Sequence, residues 1–156
     1  MEFVGQTGTF ESTLDEKGRV VIPVSLRDSY TGKLKVMRGV EFCIWVMTSA
    51  AYENFMVKFK KERKIQGLSS EEIQAFQYQH ESTTQTVEID PKSGRIPVPA
   101  ALRTYANLTR DCLVVSINGH LEIWNAELYT SFMNEIQAIN KNIHRKMDFF
   151  TNEEDL

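Results

Sequence analysis

Strand-like and helix-like periods alternate along the chain in an order that is used twice. Residues 7–22 carry strand-forming positions on both sides of a polar turn: Thr7, Thr9, Phe10, Thr13 and Leu14 before it, Val20, Val21 and Ile22 after it. Lys17-Gly18 supplies the turn, since glycine tolerates positive φ where a side chain would clash, and a hairpin with a polar tip is expected. Pro23 stops the strand, and its preset φ suits the first turn of a short helix, Val24 to Tyr30, ended by Thr31-Gly32-Lys33. Residues 34–38 and 41–47 read as a second pair of strands joined at Gly39. From Ser49 the period changes. Tyr52, Phe55, Met56, Phe59 and Arg63 recur at three and four, which predicts an amphipathic helix with Lys58, Lys60, Lys61 and Lys64 outward. Gly67 breaks it, and Ser69-Ser70-Glu71-Glu72 is a capping box opening a further helical face of Ile73, Phe76 and Gln77 or His80.

Residues 82–124 replay the first third. Thr84, Thr86, Val87 and Ile89 lead into Asp90-Pro91-Lys92-Ser93-Gly94-Arg95, then Ile96-Pro97-Val98 and a short helix from Pro99 to Tyr105 with Asn107 as its stop. Strands 112–117 and 121–124 flank Asn118-Gly119-His120, a strong hairpin signal. Asn125 can cap a last helix aligning Leu128, Phe132, Ile136 and Ile139. Arg19, Pro23, Leu26 and Arg27 map onto Arg95, Pro99, Leu102 and Arg103 at one offset of 76 residues. Each unit of strand, turn, strand, short helix and hairpin is too small to stand alone, whereas two copies in one chain can share a core and cover each other's strand edges.

Composition narrows the partners. At 156 residues, 42% hydrophobic and 25% charged, the chain reads as folded and soluble, with no apolar run of membrane-spanning length and no signal-peptide character in Met1-Glu2-Phe3-Val4-Gly5. A net charge of −3 argues against broad coating of DNA or of an anionic membrane, so nucleic-acid binding would have to use a small, local basic feature. Cys43 and Cys112 sit in apolar runs with no CxxC partner and read as buried free thiols. His80, His120 and His144 have no metal-ligand spacing, and no phosphate-binding loop, dinucleotide fingerprint or nucleophile elbow occurs. No enzyme activity, metal, cofactor or small-molecule substrate is therefore expected. By itself Lys17-Gly18-Arg19 reads as a solvated hairpin tip; the run Lys58 to Lys64 reads as a helix with an apolar stripe and solvated lysines, with a nucleic-acid patch as the alternative. Trp45 and Trp124 read as core residues; for Arg27 and Arg103 a structural ion pair and a DNA or subunit contact both stand open.

The duplicated residues carry a family resemblance. Leu14-Asp15-Glu16-Lys17-Gly18-Arg19-Val20-Val21-Ile22-Pro23, Arg38-Gly39, Gly94-Arg95-Ile96-Pro97-Val98-Pro99, Leu102-Arg103-Thr104-Tyr105-Ala106 and Glu122-Ile123-Trp124 together resemble the MraZ family, over about residues 3–140. Its members carry two tandem SpoVT–AbrB-type units, each with an Asp-x-x-x-Arg motif. The resemblance implies an α+β fold with a mainly β core: a tandem-repeat, AbrB-like swapped-hairpin β-barrel with flanking helices. Its parts would be a first unit over 7–54, a helical connector over 55–82, a second unit over 83–127, a C-terminal helix over 128–150 and an acidic, solvated tail over 151–156. It also implies a cytoplasmic, nucleoid-associated transcription factor, expected to repress, that forms homo-oligomeric rings. Such a ring binds direct repeats in double-stranded DNA upstream of the division and cell-wall gene cluster, its own promoter included. The alternative is a ring-forming interaction module that binds a protein partner.

On this resemblance the turns become DNA contacts. Gly18 lets the backbone come close, Arg19 has the planar fork that reads guanine or grips phosphate, and Lys17 suits a phosphate point contact. Lys92, Gly94 and Arg95 would play the same parts in the second copy. Asp15 and Asp90 are expected to orient the motifs rather than touch DNA. The second motif departs from the first: Asp90 to Arg95 is one residue longer than Asp15 to Arg19, with Ser93 as the insertion, so an Asp–Arg bridge of the same geometry is not assured there.

Overall fold

A computed structural model of the chain describes residues 6–152 and 154. The Met1–Gly5 start and, from the acidic end, Glu153, Asp155 and Leu156 lie outside the described residues. Contacts divide the chain into two units, Met1–Asn125 and Ala126–Leu156.

The first unit is α+β and mainly antiparallel sheet. Its strands are β1 (Gly8–Thr13), β2 (Arg19–Val21), β3 (Lys33–Arg38), β4 (Ile44–Thr48), β5 (Gln85–Glu88), β6 (Arg95–Pro97), β7 (Asp111–Ile117) and β8 (His120–Asn125). Helix α1 spans Ser49–Ile65, α2 Ser70–Phe76 and α3 Ala100–Tyr105. Six strands form one sheet in the order β1-β7-β8-β4-β3-β5, and β2 and β6 form a separate ribbon. The expected hairpin across Lys17-Gly18 is reduced to a single bridge between Leu14 and Val20. Instead β1 pairs along its length with β7 of the second half, Phe10 opposite Val114, while β5 of the second half pairs with β3 of the first, Val87 opposite Leu34. Each half thus supplies the other with an edge strand.

These ladders do not close into a barrel. The six-stranded sheet keeps β1 and β5 as its edges, and the ribbon remains two-stranded. Proline explains this: Pro23 and Pro99 follow the short strands β2 and β6, and Pro97 within β6 has no N–H to donate, so the ribbon is too short and too poor in donors to ladder with both edges. It covers the core all the same. Val20 and Ile96 lie opposite each other in the ribbon, both fully buried, and pack with Ile22, Leu26, Leu34, Val36, Ile44, Leu102, Val114, Leu121 and Ile123 from both halves.

Local signals behave unevenly. The Ser69–Glu72 capping box forms, with both reciprocal bonds, and Asn118-Gly119 makes the two-residue turn between β7 and β8, at φ 52° and 79°. The helix expected over Val24–Tyr30 is a 3-10 turn at Val24–Leu26 followed by further three-residue turns. After α2 the chain passes into a π turn, Gln77–Glu81, which no periodicity announced. Strand β4 begins at Ile44 rather than 41, because Phe42 takes φ 57° in the turn that joins it to β3. Cys43 and Cys112 are buried free thiols, and burial raises them to about 12 and about 11. In α1, Met56 and Phe59 are buried while Lys58, Lys60, Lys61 and Lys64 are exposed.

Two polar residues, Glu122 partly buried and His80 buried, organise the sheet around the tryptophans. Glu122 accepts from Trp45 Nε1 at 3.1 Å and Trp124 Nε1 at 2.9 Å, and its Oε2 lies 3.1 Å from His120 Nε2. Burial alone would raise its carboxyl; the His120 and tryptophan bonds outweigh that and hold it below its ordinary value. His80 is stacked on Trp45 at 4.7 Å, edge-on to Phe55 and Phe76, with its Nδ1–H donating to the Arg38 carbonyl at 2.9 Å. Burial lowers its pKa below the ordinary 6.5, so the unfolded chain takes up a proton first as pH falls. The stability that comes from keeping His80 neutral is present above its unfolded value and declines as pH drops through it. Melting scans from pH 7.5 to 5 are expected to show a steeper fall in Tm for the wild type than for His80→Phe; equal slopes would show that His80 is not the titrating group.

The second unit contains α4, Ala126–Lys146, with Glu127 in its first turn and His144, Arg145 and Lys146 in its last, the charge order a helix dipole favours. Among the described residues, no helix is long and apolar enough to cross a membrane.

Candidate nucleic-acid interface

Alternation along the ribbon places the turn arginines. Val20 and Ile96 point inward, so Arg19 on β2 and Arg95 on β6 stand together on the outer face, Arg95 opposite Val21 and Arg19 opposite Pro97. Both side chains are 37% exposed, so each guanidinium is held yet reachable.

The first turn is built by Asp15. Its amide donates to the Arg19 carbonyl at 2.9 Å, and Gly18 N–H donates back to the Asp15 carbonyl at 3.0 Å. Oδ1 accepts from the amides of Lys17 and Arg19, both at 2.9 Å, and Oδ2 accepts from Arg19 Nε at 2.9 Å. The Arg19 amide, its side-chain bond and charge, and the Lys17 amide together hold the Asp15 carboxyl below its ordinary value, against the opposing effect of desolvation. Arg19 is therefore charged, paired and pointed outward. Lys17 at the tip is exposed.

The second turn keeps the backbone frame and changes the side-chain bonds. Asp90 N–H donates to Arg95 O at 2.9 Å and Gly94 N–H to Asp90 O at 2.8 Å, with the extra residue absorbed between them. The exposed Asp90 carboxylate bends back on its own turn: Oδ1 accepts from the Lys92 amide at 3.1 Å and Oδ2 from Ser93 Oγ at 2.7 Å. Ser93 Oγ in turn accepts from the Arg95 amide at 3.4 Å. Asp90 organises its own turn and does not pair with Arg95. The acid that Arg95 meets is Asp15, at 3.5 Å from its Nε.

Arg27 and Arg103 enter the same cluster, and local sequence reasoning could not have placed them. Gly18, at φ +77°, lies so close to Arg103 that a Cβ would fall 1.5 Å from Nη1; Gly94, at φ +69°, stands in the same relation to Arg27, 2.1 Å from Nε. The crossing is backed by the main chain, Ile22 N–H donating to Gly94 O and Val98 N–H to Gly18 O. Arg27 Nε also donates to Ile22 O at 2.8 Å. Among the described residues neither arginine is in an ion pair. The only signal was the repeat itself, since both sit at the offset shared by Arg19 and Arg95.

Four arginines, two from each half, thus gather about the two turns: Arg103 packs on Gly18, Arg19 and Arg95 meet Asp15, and Arg27 packs on Gly94. Guanidinium forks can grip phosphate or read base edges. Gly18 and Gly94 do not offer open backbone, contrary to expectation: both are buried, and the room left by their missing Cβ is taken by Arg103 and Arg27. Among the described residues no group of three or more His, Cys, Asp or Glu could hold a metal ion.

Known proteins resemble this chain along most of its length. The family model described as "MraZ protein, putative antitoxin-like" matches residues 6–71 and 82–150. A protein of Symbiobacterium thermophilum named Transcriptional regulator MraZ is 32% identical over 142 residues, covering 91% of this chain and 99% of that one. Proteins of the same name from Saccharopolyspora erythraea and Treponema denticola are 34% identical over 128 residues and 30% over 130, covering 82% and 83% of this chain and 86% and 88% of theirs.

Proposed function

The chain belongs to the MraZ family, and from that premise we propose that it is a transcriptional regulator that binds duplex DNA through its paired basic turns. The observation that carries the reading is the gathering of four arginines about the two turns, with Arg19 and Arg95 on the outer face of the ribbon and Arg103 and Arg27 packed on the turn glycines, in a chain whose net charge is −3. Arg19 and Arg95 read base edges or grip phosphate; Lys17 and Lys92 add phosphate contacts at the tips. One such site is weak on an acidic protein. Several copies in a ring, set on direct repeats near one helical turn apart, act at high effective concentration and bind tightly together. The operator is the DNA upstream of the chain's own gene in the division and cell-wall cluster, the outcome repression, and the protein works in the cytoplasm on the nucleoid. The tandem units act as one body around a shared core, the ribbon presenting the turns.

A footprint of the protein on its own upstream DNA, repeated over a salt series, tests this. Protection at regularly spaced repeats is expected, with log K falling by about 0.9 for each phosphate contact per log unit of salt. A flat salt dependence or no protected repeat would overturn it.

A further inference from the structure

We propose that Asp15 is the common positioning residue for both turn arginines, and that Asp90 has passed its share of that work to the other half of the chain. The geometry is asymmetric where the sequence is duplicated. Asp15 Oδ2 bonds Arg19 Nε at 2.9 Å and faces Arg95 Nε at 3.5 Å. Arg95 Nε is buried and has no hydrogen-bond acceptor; the carboxylate it meets is Asp15. Asp90, which should be its partner by repeat logic, has both oxygens occupied within its own turn, by the Lys92 amide and the Ser93 hydroxyl.

Ser93 is the cause. The extra residue lengthens the turn and places a hydroxyl between the Asp90 carboxylate and the Arg95 amide, donating to one and accepting from the other. The bond that Asp15 makes directly to the Arg19 amide is relayed in the second turn through Ser93. With Asp90 spent in this way, one carboxylate stands between two guanidiniums. It fixes both, tightly for Arg19 through a charge-assisted hydrogen bond and more loosely for Arg95 through charge alone. A single carboxylate cannot neutralise two guanidiniums. The two tips are therefore coupled: the orientation of the second depends on a residue of the first.

The positioning can be read without DNA, and only the binding consequence rests on the reading proposed above. In the free, full-length chain, nitrogen-15 NMR of the arginine Nε–Hε groups compares Asp15→Asn with Asp90→Asn. The asparagine at 15 keeps a carbonyl oxygen for the Lys17 and Arg19 amides, so the turn persists while the charge goes. In Asp15→Asn the signals of both Arg19 and Arg95 are expected to move; in Asp90→Asn the Arg95 signal moves less. An Arg95 signal that stays put in the first variant, or moves further in the second, overturns the proposal. A second variant guards against misfolding. Arg95→Gln should raise the titration midpoint of the Asp15 carboxyl, which also faces Arg19 and Lys17, by more than that of Asp90, which faces Lys92 and Ser93 and feels the charge of Arg19. The reverse order overturns it. On the upstream DNA, Asp15→Asn is expected to lose about tenfold in affinity and Asp90→Asn about threefold or less. If the wild type binds no such duplex, the DNA reading fails while the arginine signals still decide this one.

Discussion

Arg19→Ala is expected to abolish binding to the upstream duplex, by roughly a hundredfold or more, and to leave the fold standing. The two halves of that expectation have separate causes. Truncating an arginine fork that reads a base pair or grips a phosphate removes about 1–3 kcal/mol at each contact, and in an oligomer the loss is repeated at every subunit engaged. Stability is another matter. Arg19 is on the outer face of the ribbon, 37% exposed, and its partner is a partly exposed carboxylate 2.9 Å away. Such a solvent-screened pair adds little to stability. Asp15 keeps its bonds to the Lys17 and Arg19 amides when the side chain is cut, and Arg95 remains beside it. A gel shift should therefore show no retarded band, while the melting curve moves by little and the size on light scattering is unchanged. Wild-type affinity for this variant would remove Arg19 from the interface. Retained regulation with both Arg19 and Arg95 neutralised would favour a protein partner over DNA.

Much of this was readable in the chain before any coordinates, and what was not has a common physical origin. Asn118-Gly119 and the Ser69–Glu72 box speak for themselves, because positive φ and a reciprocal cap are satisfied by residues within four positions of each other. The repeat located both turns. No local signal, however, tells Phe10 that its neighbour is Val114 rather than a residue across its own turn. Strand partners are chosen by which edge is left open after the core forms, and that is settled by the whole sheet. Arg27 and Arg103 are illegible for the same reason: each crosses to the glycine of the opposite half, more than sixty positions away for Arg27 and more than eighty for Arg103. The one-residue lengthening at Ser93 could be counted in the sequence, but its result, an Asp90 bent back on its own turn and an Arg95 served by Asp15, depends on both turns meeting.

That interleaving also sets the largest stability effect expected. Ile96 is fully buried, opposite Val20 in the ribbon, and packs into a core drawn from both halves. Ile96→Ala removes three carbons that no neighbour can replace and is expected to cost about 2–5 kcal/mol, a large share of the roughly 5–15 kcal/mol that holds a domain together. The form of the transition matters as much as its position. In the sheet order β1-β7-β8-β4-β3-β5 each half contributes an edge that has no partner without the other, β1 lying on β7 and β5 on β3. Neither half can melt alone without stripping a strand and opening the common core. Urea unfolding followed by the fluorescence of Trp45 and Trp124, one from each half, should therefore give a single transition in the wild type and a single, shifted one in Ile96→Ala. Two separated transitions, with only the Trp124 signal moving to lower urea, would mean that the repeats fold as independent domains. The shared core, and with it the gathering of four arginines from two halves, would then have to be given up.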